Sequence, residues 1–330
     1  MKLVRITGYL FVLVAFFSFT ASATASAASS PTKAGKIKEY SIPTSGSLPY
    51  YITRGPDHSL WFDEYTANQI GKLSTKGTFT EYPIPTASSG PVDITAGPDG
   101  NVWFTEYNVS NIAKITPKGK VTEYPVPTSG ANPYSITSGP DGNLWFTEYT
   151  GNNIGKITPK GTITEYPIPT PGSLPFDITT GPDGNLWFVE RQGNNIGRIT
   201  PSGQITEFPV PTPGSMPHSI AAGPDGNLWF TEYTGNNIGR ITPSGQITEF
   251  PVPTANSQPA DITLGPDGNL WFTELQGNNI GRITPSGQIT EFPVPTANSQ
   301  PLGITPGPDH LHNLWFVEHN TNIIGRISTK

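Results

Sequence analysis

One histidine and one glutamate in the fifth copy of a repeated unit have types and spacing suited to acid–base chemistry. His218 follows Pro217 at the start of a predicted strand, and Glu232 ends the next predicted strand. Antiparallel pairing of these two strands would place Glu232 near His218, and a histidine beside a carboxylate is a plausible general base. A histidine with a purely structural role is the alternative, and the sequence leaves both open.

Carboxylates recur at the same place in every copy of the unit. A glutamate stands three residues after each tryptophan of the series, at Glu64, Glu106, Glu148, Glu190, Glu232, Glu274 and Glu318. A ring of carboxylates would attract a cation, and a subset of these could hold Mg²⁺ or Ca²⁺. Their presence in every copy favours a structural role, such as bonding to loop amides.

Two adjacent positions differ among copies that are otherwise nearly identical. The first follows a proline and is occupied by Tyr50, Val92, Tyr134, Phe176, His218, Ala260 and Leu302. The second is occupied by Tyr51, Asp93, Ser135, Asp177, Ser219, Asp261 and Gly303. Variation concentrated at one rim indicates a binding face, and drift in tolerant loops is the alternative. The residues predicted to contact a ligand are Tyr50, Tyr134, Phe176, Asp177, Tyr233, Asp261 and His319. Alternation along a strand predicts that Ser219 points away from His218, which argues against a serine-hydrolase arrangement.

A tryptophan-centred repeat must position these residues. Consecutive tryptophans from Trp61 to Trp271 are 42 residues apart, and the last interval, to Trp315, is 44. This period is typical of propellers and solenoids. One copy, residues 223–254 with the four residues before it, contains four predicted strands, at 219–222, 228–232, 237–242 and 247–252. Four antiparallel strands in each copy of about 40 residues predict a propeller blade. The apolar Leu-Trp-Phe runs are expected to form the core between blades.

The two ends of the repeat region predict how the ring closes. The last copy stops after its third strand, at 324–330, and lacks a fourth. Residues 37–43 match the missing strand, as a comparison with residues 205–211 shows. We therefore expect an all-β, seven-bladed propeller over 37–330, closed by the N-terminal strand, which also protects the edges of an open array.

The N-terminal segment indicates where the protein is located, and the composition limits which partners it can have. Lys2 and Arg5 precede an apolar run and an Ala25-Ser26-Ala27 cleavage signal, so residues 1–27 are predicted to be a secretory signal peptide and 28–36 a linker. We expect a secreted or extracytoplasmic monomer without a transmembrane segment after cleavage. The absence of cysteine excludes disulfides, thiolate metal sites and cysteine nucleophiles. The net charge of −6 argues against a nucleic-acid partner.

The repeat GPDGNLWFTE, followed by NNIGRIT and ITEFPVPT, resembles the virginiamycin B lyase (streptogramin lyase) family over residues 37–330. That resemblance implies a seven-bladed propeller that opens the ester of a cyclic streptogramin B depsipeptide by elimination, with Mg²⁺. It also implies a histidine general base in a Pro-His-x-Ile motif of the last blade, a nearby glutamate, and a second such histidine one blade earlier. The metal would stabilise the developing enolate.

In this chain the Pro-His-x-Ile motif occurs once, at residues 217–220. The corresponding positions of the next two blades hold Ala260 and Leu302, and Gln300 replaces the glutamate before the last motif. Two hypotheses follow. In the first, the protein is a lyase with His218 as base, assisted by Glu232, and with Glu232 and Glu318 around Mg²⁺. In the second, favoured by the missing histidines, it is a non-catalytic secreted propeller that binds a peptide, glycan or cell-wall component at its channel mouth.

Overall fold

The computed structural model describes residues 34–308 and 312–330. Within these ranges the chain forms seven four-stranded antiparallel sheets and no helix. Each sheet is one blade, because its four strands follow one another in sequence and pair in that order in six of the seven. The seven-bladed, all-β propeller predicted from the repeat is confirmed.

The first four blades share one strand plan. Blade 1 contains β2 (Ile52–Arg54), β3 (Leu60–Glu64), β4 (Gln69–Leu73) and β5 (Phe79–Pro83). Blade 2 contains β6 (Pro91–Ala96), β7 (Val102–Glu106), β8 (Asn111–Ile115) and β9 (Val121–Pro125). Blade 3 contains β10 (Pro133–Ser138), β11 (Leu144–Glu148), β12 (Asn153–Ile157) and β13 (Ile163–Pro167). Blade 4 contains β14 (Pro175–Thr180), β15 (Leu186–Glu190), β16 (Asn195–Ile199) and β17 (Ile205–Pro209).

The remaining blades repeat that plan, apart from the origin of one strand. Blade 5 contains β18 (Pro217–Ala222), β19 (Leu228–Glu232), β20 (Asn237–Ile241) and β21 (Ile247–Pro251). Blade 6 contains β22 (Pro259–Leu264), β23 (Leu270–Glu274), β24 (Asn279–Ile283) and β25 (Ile289–Pro293). Blade 7 combines β26 (Pro301–Pro306), β27 (Asn313–Glu318) and β28 (Ile323–Ser328) with β1 (Ile37–Ser41).

The N-terminal strand closes the ring as the sequence predicts. β1 pairs antiparallel with β28, with Ile37 opposite Ile327 and Ser41 opposite Ile323. The ring of Tyr40 packs 5.3 Å from that of Trp315. The fourth strand of blade 7 therefore comes from the opposite end of the chain, and its pairing leaves no unfinished blade.

The core lies between the blades. Leu228, Trp229 and Phe230 are fully buried, as are their counterparts in the other blades apart from a 3% exposure of Trp315. Trp229 stacks on Phe250 with ring centroids 5.5 Å apart. Its indole N–H donates a hydrogen bond to Asp225 Oδ1 at 3.1 Å. Both faces of each second strand are apolar because each blade packs between two others, so the predicted core role of the tryptophans is confirmed.

A recurring asparagine ties each blade to the next. Asn236 has a φ of 56°, and its Nδ2 donates to the carbonyls of Val252 and Thr254. Its Oδ1 accepts hydrogen bonds from the amide and hydroxyl of Ser257, which leads into blade 6. Asparagine tolerates the left-handed backbone region better than most residues. The same residue can therefore occupy the turn and hydrogen-bond to the linker between the blades.

Replacing Asn236 by alanine is expected to lower the free energy of unfolding by about 2 kcal/mol, because buried linker groups lose their partners at a strained φ. Blade 2 offers the reverse experiment, since Ser110 occupies the equivalent place with a φ of 54°. Ser110→Asn is expected to raise the melting temperature measured by calorimetry. A lower melting temperature for Ser110→Asn would contradict this account of the linker.

The predicted signal peptide, 1–27, and residues 28–33 of the predicted linker lie outside the described residues. Among the residues that are described, none belongs to a helix long and apolar enough to cross a membrane. Gly35 and Lys36 already belong to blade 7, because their amides donate to the carbonyl and hydroxyl oxygens of Ser328.

Candidate functional site

A cavity of about 400 Å³ lies at one mouth of the central channel, and all seven blades contribute to it. Its lining forms two rings. The post-proline ring, at the start of the innermost strands, consists of Tyr50, Val92, Tyr134, Phe176, His218 and Leu302. The post-glutamate ring, directly after the second strands, consists of Tyr65, Tyr107, Tyr149, Arg191, Tyr233, Leu275 and His319. Gln300 completes the lining.

The structure brings most of the predicted site residues into this cavity. His218, Tyr50, Tyr134, Phe176, Tyr233 and His319 line it, whereas Asp177, Asp261, Glu232 and Glu318 do not. The aromatic side chains touch one another around the wall, with Tyr134 and Phe176 at a ring separation of 3.8 Å. The site is therefore a largely aromatic bowl with a few polar groups, the composition usual for small-molecule sites.

A β-bulge explains how two consecutive residues of an innermost strand both reach other blades. Pro217 pairs with Glu232 and Ile220 with Phe230, so His218 and Ser219 together oppose Thr231. The same register shift occurs in blades 2 to 7. A bulge re-aims the side chains beside it, so the simple alternation expected for His218 and Ser219 does not describe this stretch.

His218 is held in one tautomer by the next blade. Its Nδ1 lies 3.2 Å from the carbonyl oxygen of Ala260, which can only accept, so Nδ1 carries the proton. The imidazole stacks on Tyr233 at 5.3 Å and packs against Phe176 at 4.3 Å. Burial and the charge of Arg191 lower the pKa of His218 to about 3. At neutral pH the ring is uncharged, and its unprotonated Nε2 is available to a ligand.

His319, two blades away, repeats this arrangement. Its Nδ1 lies 3.0 Å from the carbonyl oxygen of Pro49, and its ring meets that of Tyr50 edge-on at 4.5 Å. Burial lowers the pKa of His319. The cavity thus contains two imidazoles whose Nδ1–H donates to a backbone carbonyl and whose Nε2 can accept a proton.

Arg191 is a charged lining residue that the sequence analysis did not predict. Its Cζ lies 4.9 Å from the ring centroid of Phe176 and 5.1 Å from that of Tyr233. Its Nε is buried without a hydrogen-bond partner, and no ion pair involves it among the described residues. Its position could have been found by alignment of the repeats, since it directly follows Glu190 where four other blades have tyrosine.

Glu232 lies under the turn of its own blade and has no contact with His218. Its Oε2 accepts a hydrogen bond from Asn237 at 2.9 Å, whereas Oε1 has no donor and faces Glu249. Burial, and then the charge of Glu249, raise the pKa of Glu232 to about 8. Pro217, not His218, is its register partner across the two strands.

Glu318 occupies the equivalent position in blade 7. Its Oε2 accepts a hydrogen bond from Thr321 at 3.1 Å, and burial and the charge of Glu39 raise its pKa to about 7. Like the other glutamates of the series, it is fully buried. The catalytic and metal roles of Glu232 and Glu318 remain predictions, and the geometry favours a structural role.

The cavity wall lacks the set of ligands that Mg²⁺ prefers. Mg²⁺ prefers oxygen ligands with at least one carboxylate, and no Asp or Glu lines the cavity. Across residues 34–308 and 312–330, no group of three or more His, Asp or Glu side chains could hold a metal ion. The residues that line the described cavity therefore do not fit Mg²⁺, and its binding remains a prediction.

Asp177 and Asp261 form a hydrogen-bonded belt across blades 2 to 6. The hydroxyl of Ser135 lies 2.8 Å from Asp93 Oδ2 and 2.7 Å from Asp177 Oδ1. The hydroxyl of Ser219 lies 2.8 Å from both Asp177 Oδ2 and Asp261 Oδ1. These contacts join five consecutive blades one residue beyond the post-proline ring.

The belt must hold extra protons. Each serine has one hydroxyl proton and two carboxyl contacts, so one contact of each serine needs a proton from an aspartic acid. Burial and the charge of Asp177 raise the pKa of Asp93 to about 7 and that of Asp261 to about 8. Burial raises the pKa of Asp177 as well, so protonated carboxyl groups are favoured along the belt. These aspartates stitch blades together and do not face a ligand in the cavity.

Comparison with known proteins agrees with the propeller fold. A profile of the virginiamycin B lyase family matches residues 17–193 and 177–330. A streptogramin B lyase structure is 42% identical, with a TM-score of 0.85 over 89% of this chain and 98% of its own. Selenomethionine-substituted virginiamycin B lyase from Staphylococcus aureus is 45% identical, with a TM-score of 0.85 over 89% of this chain and 99% of its own.

A third structure contains a ligand. It is a catalytically inactive histidine-to-alanine variant of the Staphylococcus aureus virginiamycin B lyase with quinupristin, 44% identical, with a TM-score of 0.85 over 89% of this chain and 99% of that one. The resemblance carried by the repeat is therefore confirmed over the whole propeller. On the family match and these three similarities, this chain belongs to the virginiamycin B lyase family.

Proposed function

We propose that the aromatic cavity binds a cyclic depsipeptide of the streptogramin B type and that the protein opens its ester by elimination, with His218 as the general base. The observation that carries this proposal is the fixed tautomer of His218, a residue of the wall of an aromatic bowl, which leaves Nε2 unprotonated. Relatives at 42–45% identity are streptogramin lyases, and one of them was solved with quinupristin.

The relatives support elimination over hydrolysis, because the similar structures are those of lyases. The described cavity wall contains two histidines that could take a proton from a C–H group. In the elimination, Nε2 takes a proton from the carbon next to the one that bears the ester oxygen. The C–H electrons form a double bond, the C–O bond breaks, and a carboxylate leaves. No water enters the product, so its mass equals that of the substrate.

The low pKa of His218 has a cause that substrate would partly remove. A pKa of about 3 makes a weak base, and general bases act best with a pKa near the working pH. Part of the shift comes from the charge of Arg191. Negative charge that develops on a bound ester would offset that charge, and the basicity of His218 would rise as the reaction proceeds.

The same low pKa supports the alternative, a propeller that binds without catalysis. Apolar Leu302 and fully buried Ala260 occupy the positions at which the family resemblance implies histidines. A bowl of tyrosines offers flat apolar faces and hydroxyl groups to a peptide or a glycan. For either function, we also propose that the protein is exported after removal of residues 1–27 and that it is a monomer.

Incubation with quinupristin tests the proposal directly. The protein is expected to convert it to a new species of unchanged mass, detected by chromatography and mass spectrometry, in parallel reactions with Mg²⁺ and with EDTA. A product heavier by one water would contradict elimination. Unchanged quinupristin, under conditions in which the Staphylococcus aureus lyase consumes it, would reject the lyase and favour the binding alternative.

A further inference from the structure

We propose that Arg191 forms a carboxylate-binding subsite in the cavity wall and that it binds the carboxylate that ring opening releases. The second part rests on the proposed function, whereas the first rests on the geometry alone. The subsite would take a ligand with a free carboxylate within reach of His218, such as the linear acid of an opened depsipeptide.

The side chain of Arg191 is held by aromatic rings and not by anions. Phe176, in the post-proline ring of the same blade, and Tyr233, in the post-glutamate ring of the next, lie against the guanidinium at 4.9 and 5.1 Å. Such contacts fix the guanidinium but leave its N–H groups unpaired, because a ring face accepts no full hydrogen bond. Its buried Nε has no partner, which is costly for a charged donor.

The charge of Arg191 is not compensated inside the cavity. Of the fourteen lining residues in the described part of the chain, Arg191 is the one with a fixed charge. The four ion pairs of the described residues all involve aspartates of the turns between first and second strands, such as Asp225 with Arg240. Burial, and then the charge of Arg191, lower the pKa of His218. A cation left in this state is a site for an anion.

Carboxylate is the anion that best matches this donor. A guanidinium presents parallel N–H groups that fit the two oxygens of a carboxylate, and the pair is stronger away from bulk water. During elimination the electrons of the broken C–O bond pass to the leaving carboxylate, so the negative charge grows on that group. A preorganised cation at this point lowers the barrier without reorganisation. Arg191 would thereby supply positive charge in a cavity whose lining lacks carboxylate ligands for a metal.

The repeat itself supplies the variants for the test. Arg191→Tyr introduces the residue that four other blades carry at this position, so the wall is kept and the charge is removed. Arg240→Lys is the matched control, since Arg240 lies over Trp229 in the body of blade 5 and blades 1 to 3 carry lysine there. Thermal melting establishes that both variants are folded.

Binding is measured by calorimetry with two probes: the linear acid made from quinupristin by the Staphylococcus aureus lyase, and the methyl ester of that acid. The unmodified protein is expected to bind the acid at least about 10-fold more tightly than the ester. Arg191→Tyr should abolish this preference, and Arg240→Lys should preserve it. In addition, NMR titration of His218 should show a higher pKa in Arg191→Tyr, because a positive neighbour has been removed.

The outcomes separate this inference from the proposed function. A preference for the acid that depends on Arg191, in a protein that leaves quinupristin intact, would retain the subsite and reject the lyase. Equal binding of acid and ester, or failure to bind the acid, would overturn the subsite even if the protein opens quinupristin. If the protein does open quinupristin, Arg191→Tyr is expected to lower kcat at least 50-fold, and an unchanged kcat would overturn the catalytic part.

Discussion

Replacing His218 by alanine is expected to lower kcat/KM for ring opening of quinupristin by about 10²- to 10⁴-fold, the range in which a positioned general base contributes. The physical reason is the loss of Nε2, which Ala260 and the stacked Tyr233 hold in the cavity wall as a proton acceptor. The measurement is a steady-state assay by chromatography, with the melting temperature recorded for each variant. Because kcat/KM reports the free protein, the rate should not fall between pH 7 and pH 5.

Two other histidines serve as comparison and control. His319→Ala tests the second imidazole with a fixed tautomer, and a large loss there with a small loss at His218 would move the base to blade 7. His58→Gly is the matched control, since His58 lies in the turn between β2 and β3, where five other blades carry glycine. Full activity of His218→Ala would reject its role as base outright.

A fall in thermal stability from mildly acidic to alkaline pH is the second large effect we expect. Burial raises the pKa of the seven second-strand glutamates to about 7 or 8. Burial likewise raises the pKa of Asp93 to about 7 and that of Asp261 to about 8. The folded protein therefore binds more protons than the unfolded chain between about pH 4 and pH 8, and its free energy of unfolding must decrease as pH rises through that window.

Below this pH window, the free energy of unfolding is expected to decrease as pH falls. Asp225 and its counterparts at 57, 99, 141 and 183 are partly buried, but hydrogen bonds, including one from the tryptophan indole, keep their pKa values below the ordinary value. Their contribution is present above about pH 4 and is lost as pH falls. Calorimetry should therefore find the highest melting temperature near pH 5 and a decrease of about 10 °C or more by pH 9. A melting temperature that rises from pH 5 to pH 9 would contradict the raised pKa values.

One substitution tests how much a single carboxyl pair contributes to this pH dependence of stability. Glu232→Gln copies the protonated acid, since the amide can accept from Asn237 and donate to Glu249. At pH 8.5 the variant should be more stable than the unmodified protein by about 1 to 2 kcal/mol, and at pH 5 about equal to it. Glu249→Gln is the control, because Glu249 accepts hydrogen bonds from the amide and hydroxyl of Thr212 and should be needed at both pH values.

The fold could be predicted from the sequence because the residues that determine it recur at a fixed period. Tryptophan spacing gave the number of blades, and the match between residues 37–43 and the fourth strands gave the closure at β1 and β28. The variable post-proline positions likewise pointed to the rim where Tyr50 and Phe176 line the cavity. Repetition averages over local exceptions, so a pattern in seven copies predicts structure better than any single segment could.

The chemistry of the site was less accessible because it depends on exceptions to the pattern. The bulge at residues 218–219 changes the direction of side chains without any glycine or proline within it to announce it. The assignment of Glu232 to the rim followed from strand ends alone, and only the register shows that it faces Asn237. Arg191 is one such exception, since four other blades carry tyrosine at its position. Which side of a blade a residue faces is a property of register, and composition does not encode it.

The pairing of β1 with β28 also constrains the order in which the protein can fold. Ile37 is synthesised long before its partner Ile327. Blades 1 to 6 are built from local hairpins and can form in succession, whereas the pairing of β1 with β28 must wait until β28 has been made. Until then the outer edge of β28 is unpaired and open to a strand from another molecule. Pairing of β1 with β28 is therefore the last step in assembling the seven blades, and it covers the exposed strand edge.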